Sequence, residues 1–357
     1  MARRCSVRVG VAMASRTSTE AHPAKERDDG KRDFVTNWRS WLLAVLLVAG
    51  VIVAVLHWGD VKKFAELVAN AQPLWLLAAA GAQLLTYVAL AMQWALVLRA
   101  GNCRAPFGKL LGLTVSKHFA DQMVPTAGMS GNVVVVDRLI TIGASRKVAV
   151  AAVILAIISY YASYAVAALG VLFLLWLMGA DSWAMIALIS VFLVVAAGIP
   201  SLALWLQKKG KRAVPKWLRN VGPVRELFDM IGQAPAKLVR SRELIVQLSI
   251  LNGITFALDG WTMQFCLFAL GVKVPFASAF IAFIMASIVV TLGPIPMGLG
   301  SFEAVSVGTL RLAGVPFEAA LSATLLFRGF TLWLPLLPGM ITARKDLKAP
   351  KPRPNRR

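Results

Sequence analysis

The chain has 357 residues, 58% of them hydrophobic and 15% charged, with a mean hydropathy of +0.69. These values exclude an ordinary soluble domain and point to an integral, all-α polytopic membrane protein. The net charge of +21 would suit nucleic acid, but the basic residues sit in tails and in loops between apolar runs. That is the pattern of the positive-inside rule and of attraction to anionic headgroups, so the expected partners are membrane lipids and not nucleic acid.

Residues 1–38 form a polar, basic tail with no apolar signal core, expected to be disordered and cytoplasmic, with Met1 or Met13 as the true start. The first span is Trp41 to His57, with Trp38 and Trp41 at the interface, and the second is Leu74 to Leu98. The segment Phe107 to Ile142 is apolar on average yet carries Lys117, His118, Asp121, Asp137 and Arg138. It is interrupted by Gly and Pro around residues 125–132, which reads as a re-entrant pair of half-helices. Spans follow at Val148 to Met178 and Trp183 to Leu206. The loop 207–242 is basic, with Leu227, Ile231, Ala234 and Leu238 at helical spacing along the membrane surface. Another span, Leu244 to Leu270, contains Asp259. From Ala277 to Ala313, two apolar runs too short to cross a bilayer flank Gly293-Pro294-Ile295-Pro296-Met297-Gly298-Leu299-Gly300-Ser301-Phe302-Glu303. So many Gly and Pro residues cannot continue a helix, and a carboxylate follows at once, so this is a second re-entrant hairpin. Phe317 to Ile341 is the last span, with Arg328 inside it, and residues 347–357 are a second disordered basic tail. About six spans and two hairpins result.

With the N-terminus inside and both hairpins returning to the side they enter, nearly all Lys and Arg fall in the cytoplasm. Lys62, Lys63, Lys273 and Arg311 are outside, and Lys117 and Arg328 lie at membrane depth. A bacterial inner membrane with both termini cytoplasmic is the expected location.

Sliding the chain on itself by 171 residues matches nine of the 31 positions from 125 to 155, including Pro125 with Pro296, Ser130 with Ser301 and Gly143 with Gly314. Asn132 falls on Glu303. The transmembrane domain, 39–346, then divides into repeats at about 39–179 and 180–346. One hairpin enters from each side, so the repeats are inverted in topology, an arrangement that places substrate at the repeat interface.

The motif Pro294-Ile295-Pro296-Met297-Gly298-Leu299-Gly300-Ser301-Phe302-Glu303 resembles the flippase-like, or YbhN-like, proteins related to the membrane-embedded flippase part of lysylphosphatidylglycerol synthase. So do Gly314-Val315 and Leu326-Phe327-Arg328 leading into Trp333-Leu334-Pro335. The resemblance covers residues 39 to 345. It implies translocation of phospholipids or polyprenyl-linked carriers, and no counterpart of the synthase's soluble aminoacyl-transferase domain is expected. Relatives often carry an acid where this chain has Asn132.

The candidate substrate-binding residues fall into groups. Glu303 needs a partner at membrane depth, and Arg328 on the next helix supplies either a structural ion pair or a phosphate ligand. Asp259, with Gln264 nearby, suits a cationic headgroup, a proton relay or a plain helix contact. Lys117 and Asp121, spaced i, i+4, either pair with each other or face substrate. Ser130 and Asn132 either cap the second half-helix or donate to substrate. Gly298, Gly300 and Ser301 form the hairpin tip, where glycine allows a tight turn or a close headgroup contact.

The scattered Cys5, Cys103 and Cys266 and the dispersed His22, His57 and His118 have neither disulfide nor metal spacing. No metal or cofactor is expected, and no phosphate-binding loop or nucleophile elbow supplies ATP-driven or hydrolytic chemistry. The expected function is lipid transport by alternating access, not catalysis. A lipid-modifying membrane enzyme and a scaffold for a partner enzyme are the alternatives.

Overall fold

The computed structural model describes residues 69–123, 129–179, 183–209, 235–293 and 298–333. These residues belong to one unit, Lys62–Arg357, and form helices and turns without a strand. The expected first span, the tip residues 124–128 and 294–297, most of the basic loop and the end of the last span lie outside them.

Helix α1 (Pro73–Ala100) starts on a proline, whose fixed φ and missing N–H suit the first helical position. The half-length helices α2 (Phe107–Met123) and α3 (Met129–Thr141) follow. Ser145 caps α4 (Arg146–Leu177) by accepting from Val148 N at 3.4 Å. Helix α5 (Trp183–Lys209) carries Pro200 inside it, and α6 (Ala236–Val239) is a single turn. Ser241 caps α7 (Arg242–Ala269) on Leu244 N. A second short pair, α8 (Phe276–Leu292) and α9 (Ser301–Leu312), precedes α10 (Phe317–Arg328), which runs into a π-helical turn, Gly329–Trp333.

Among the described residues, four helices are long and apolar enough to cross a membrane: α1, α4, α5 through Ser201, and α7. At 17, 13, 17 and 12 residues, the members of the two short pairs are not. The succession recurs. Helices α1 and α7 each have 28 residues, α2 and α8 each have 17, and α3 and α9 have 13 and 12. A left-handed glycine ends the third helix in each case, at Gly143 and Gly314.

The polar groups between helices fix how α1 meets α7. Gln72 N donates to Ala269 O at 2.8 Å, Gln83 Nε2 to Asp259 Oδ1 at 2.8 Å, and Gln93 Nε2 to Asn252 Oδ1 at 3.0 Å. As the number rises on α1 it falls on α7, so these two corresponding helices run antiparallel. Asn252 Nδ2 continues the ladder to Ser159 Oγ on α4 at 3.2 Å and to Leu248 O at 3.0 Å. In an apolar surround each such amide must be satisfied from a neighbouring helix.

Two apolar cores flank this ladder. One joins α1, α2, α3, α4 and α7 around Trp94, Leu110, Leu139 and Leu155, and the other joins α4, α5, α7, α8, α9 and α10 around Tyr164, Phe192, Ile284 and Phe327. Outside them, Leu74, Leu77, Val166, Phe173, Trp183 and Val194 are exposed, as a lipid-facing surface requires.

Asn252→Leu leaves Gln93 and Ser159 without their partner and is expected to cost about 1–2 kcal/mol. A thermal midpoint in detergent unchanged from wild type would contradict the ladder's role.

Candidate functional site

The second hairpin brings its charges together at the start of α9. Gly298 and Gly300 have φ of 62° and 83°, a region that disfavours any side chain, and a Cβ at Gly298 would run into Val290. The turn therefore requires glycine at both positions. Ser301 Oγ donates to Gly298 O at 3.1 Å, which commits this candidate residue to the turn.

Glu303 is the third residue of α9 and reaches back so that its Oε2 accepts from Gly300 N at 2.7 Å. Its Oε1 accepts from Arg328 Nε at 2.8 Å. The carboxylate thus satisfies an otherwise orphaned helix N–H, meets the positive end of the helix dipole and balances a guanidinium. Arg328 lies over the Phe302 ring, 5.0 Å from its centroid, and Phe302 stacks on Phe327 with an interplanar angle of 4°. The side chains of Arg328 and Glu303 are 10% and 17% exposed, so the pair is largely sealed but not closed off, while Leu299 and Gly300 beside it are exposed.

The first hairpin solves the same problem with different residues. Asp121, on α2, pairs with Lys117 Nζ at 2.7 Å and accepts from Gly131 N at 2.9 Å. Gly131 is the third residue of α3, and a Cβ there would collide with the Asp121 carboxylate. Asn132, which aligns with Glu303, is half-buried. The acid that holds this half-helix comes instead from the preceding helix, ten residues earlier in the chain. The Ser130 side chain lies outside the described residues.

Asp259 stands apart from both hairpins' ion pairs. Its partner is Gln83, on α1, whereas Gln264 turns away and donates to Val274 O at 3.0 Å. Gln83 and Thr262 around Asp259, Phe302 beneath Arg328, and His118 against Tyr87 were not singled out from the sequence as site partners. The available signal was a pair of amides, Gln83 and Gln93, in the mostly apolar helix α1.

The hairpins share α4 but otherwise have different neighbours. The first packs on α1 and α4, the second on α7, α10, α4 and α5, and the extensive α1–α7 contact links the two sets. The candidate residues therefore form three polar centres, not one cluster.

Breaking the Glu303–Arg328 pair from one side strands a charge, at a cost of about 3–5 kcal/mol. Glu303→Gln keeps an oxygen for Gly300 N, and Arg328→Met keeps the apolar stem over Phe302. The double variant is thus expected to be more stable than the sum of the singles by about 1–3 kcal/mol. Additive thermal shifts in detergent would show that the two side chains act independently.

The family model described as the lysylphosphatidylglycerol synthase TM region matches residues 41–339. Comparison with curated proteins gave no match. The apolar spans and the family model together make this a multi-pass membrane protein. The chain belongs to the lysylphosphatidylglycerol synthase TM region family.

Proposed function

We propose that the chain moves an anionic phospholipid or a polyprenyl-linked lipid between leaflets by alternating access. The observation that carries this reading is the Glu303–Arg328 pair at the N-terminus of a half-length helix. A lipid phosphate has the charge and the acceptor oxygens to take the place of the Glu303 carboxylate. It would accept from the planar fork of Arg328 and from the Gly300 N–H, both of which already hold an anion. Exchange of one anion for another keeps the guanidinium paired throughout. The exposed residues Leu299 and Gly300 leave the approach open.

The moving parts in this reading are two inverted repeats within about six spans and two re-entrant hairpins. The recurrence of helix lengths and the antiparallel run of α1 against α7 support it, because corresponding helices of inverted repeats must cross in opposite directions. Rocking of one repeat on the other at the α1–α7 contact would turn the headgroup site from one leaflet to the other, with the acyl tails left in lipid. The location is a bacterial inner membrane with both termini cytoplasmic, from the distribution of Lys and Arg.

The test is transfer of headgroup-labelled anionic lipid across reconstituted vesicles. Arg328→Ala is expected to slow transfer by about 10–100-fold, the worth of a charge-assisted hydrogen bond, and Arg328→Lys to restore only part of it because the fork is lost. Wild-type transfer in the folded Glu303→Gln/Arg328→Met double variant would reduce the pair to a structural lock and contradict this reading.

A further inference from the structure

Of the three polar centres, that of Asp259 contains no cationic side chain among the described residues. Lys117 is engaged by Asp121 and Arg328 by Glu303. The helices packed most closely on α7 are α1, α4, α8 and α10. Arg99, Arg146, Lys147 and Arg242 stand at helix ends, and α8 holds no charged residue. The carboxylate of Asp259 is left with Gln83 Nε2, 2.8 Å from its Oδ1, while Oδ2 has no partner among the described residues.

The hydroxyls closest to Asp259 in register have given their hydrogens away. Thr86 Oγ1 donates to Ala82 O at 3.2 Å, Thr255 Oγ1 to Leu251 O at 3.0 Å and Thr262 Oγ1 to Leu258 O at 2.8 Å. Each keeps only lone pairs for a neighbouring group. Thr255 and Thr262 lie one turn to either side of Asp259 on the same face of α7. Thr86 is one turn from Gln83 on α1. The antiparallel register that sets Gln83 against Asp259 and Gln93 against Asn252 puts Thr86 between the levels of Thr255 and Asp259.

Gln83 Nε2 gives its second hydrogen to Thr262 Oγ1 at 3.1 Å. Since Asp259 and Thr262 can both only accept, the amide has one possible orientation, and Gln83 Oε1 remains an acceptor with no donor among the described residues. Gln83, Thr86, Thr255 and Thr262 are buried and Asp259 is half-buried. A carboxylate and several acceptor-only oxygens are thus gathered in an apolar surround, and the group they lack is a positive ion.

We propose that Asp259, Gln83, Thr86 and Thr255 hold a monovalent metal cation, sodium, between α1 and α7. One carboxylate balances one positive charge, so the ion is monovalent. A hard cation takes oxygen ligands alone, whereas the transition metals that the spacing of Cys and His argues against prefer imidazole or thiolate. Gln83 and Thr86 come from α1 and Asp259 and Thr255 from α7, so the bound ion ties the two helices together and its departure loosens them. In the inverted-repeat reading this contact is the repeat interface, where folds of that kind bind their coupling ions.

The test uses the full chain in detergent, with choline replaced stepwise by sodium at constant ionic strength. Radiolabelled sodium measures binding, and the thermal midpoint measures its effect on the fold. The wild type is expected to bind a single sodium, and its midpoint to rise by the same increment for each further tenfold of sodium above the dissociation constant. Asp259→Asn keeps an acceptor for Gln83 and is expected to lose both responses. Thr255→Val removes one ligand oxygen and leaves the carboxylate in place, and is expected to weaken sodium binding by about tenfold. Should Asp259→Asn not fold, Thr255→Val and the wild-type infrared carboxyl bands, expected to shift as sodium replaces choline, decide the matter. A midpoint that does not change as sodium replaces choline, or a sodium response kept by Asp259→Asn, would overturn the site. Stabilisation by phosphatidylethanolamine in sodium-free vesicles, with no response to sodium, would give Asp259 to a lipid ammonium and overturn the metal ion. None of these readouts uses lipid movement, so their failure leaves the transport reading standing.

Discussion

An ionised carboxylate at membrane depth persists only where the protein replaces the water it has lost, and that constraint organises this chain. Three acids meet it in related ways. Glu303 is held by Arg328 and the Gly300 N–H, Asp121 by Lys117 and the Gly131 N–H, and Asp259 by Gln83. In the first two the acid also answers an unpaired N–H and the positive dipole end of a half-length helix. The short helices end inside the protein because their ends are satisfied there. At the second pair, that chemistry offers an anion a place already built for one.

The same constraint orders the centre of the molecule. Gln83, Gln93, Asn252 and Ser159 are each satisfied from another helix, so α1, α7 and α4 have one register in which every amide is paired. Sliding α1 past α7 exchanges these bonds as a set. An interface of that kind has discrete arrangements, which the proposed alternating access requires.

Much of the architecture was legible in the sequence because it rests on hydropathy and on Gly and Pro. The helices at 73–100, 146–177 and 242–269 lie within a few residues of the apolar runs, and both interrupted segments resolve into pairs of short helices. The pairing of Glu303 with Arg328 followed from the cost of leaving either charge alone. What was hidden depends on contacts between distant parts of the chain. Asp259 has two amides within reach, and only the register of α1 on α7 selects Gln83 over Gln264. Likewise, Asn132 falls on Glu303 when the chain is slid on itself, but the acid that holds α3 is Asp121 from a different helix, which such an alignment cannot reveal.

The central claim is that each short helical pair dips into the bilayer and returns, one from each face. Sided labelling of single cysteines, in a background with Cys5, Cys103 and Cys266 replaced, tests it most directly. Cysteines at Asn102 and Ser145, which flank the first pair, are predicted to react from the cytoplasmic face, and cysteines at Lys273 and Ala313, which flank the second, from the opposite face. Two flanks of one pair reacting from opposite faces would make that pair a crossing and contradict the account.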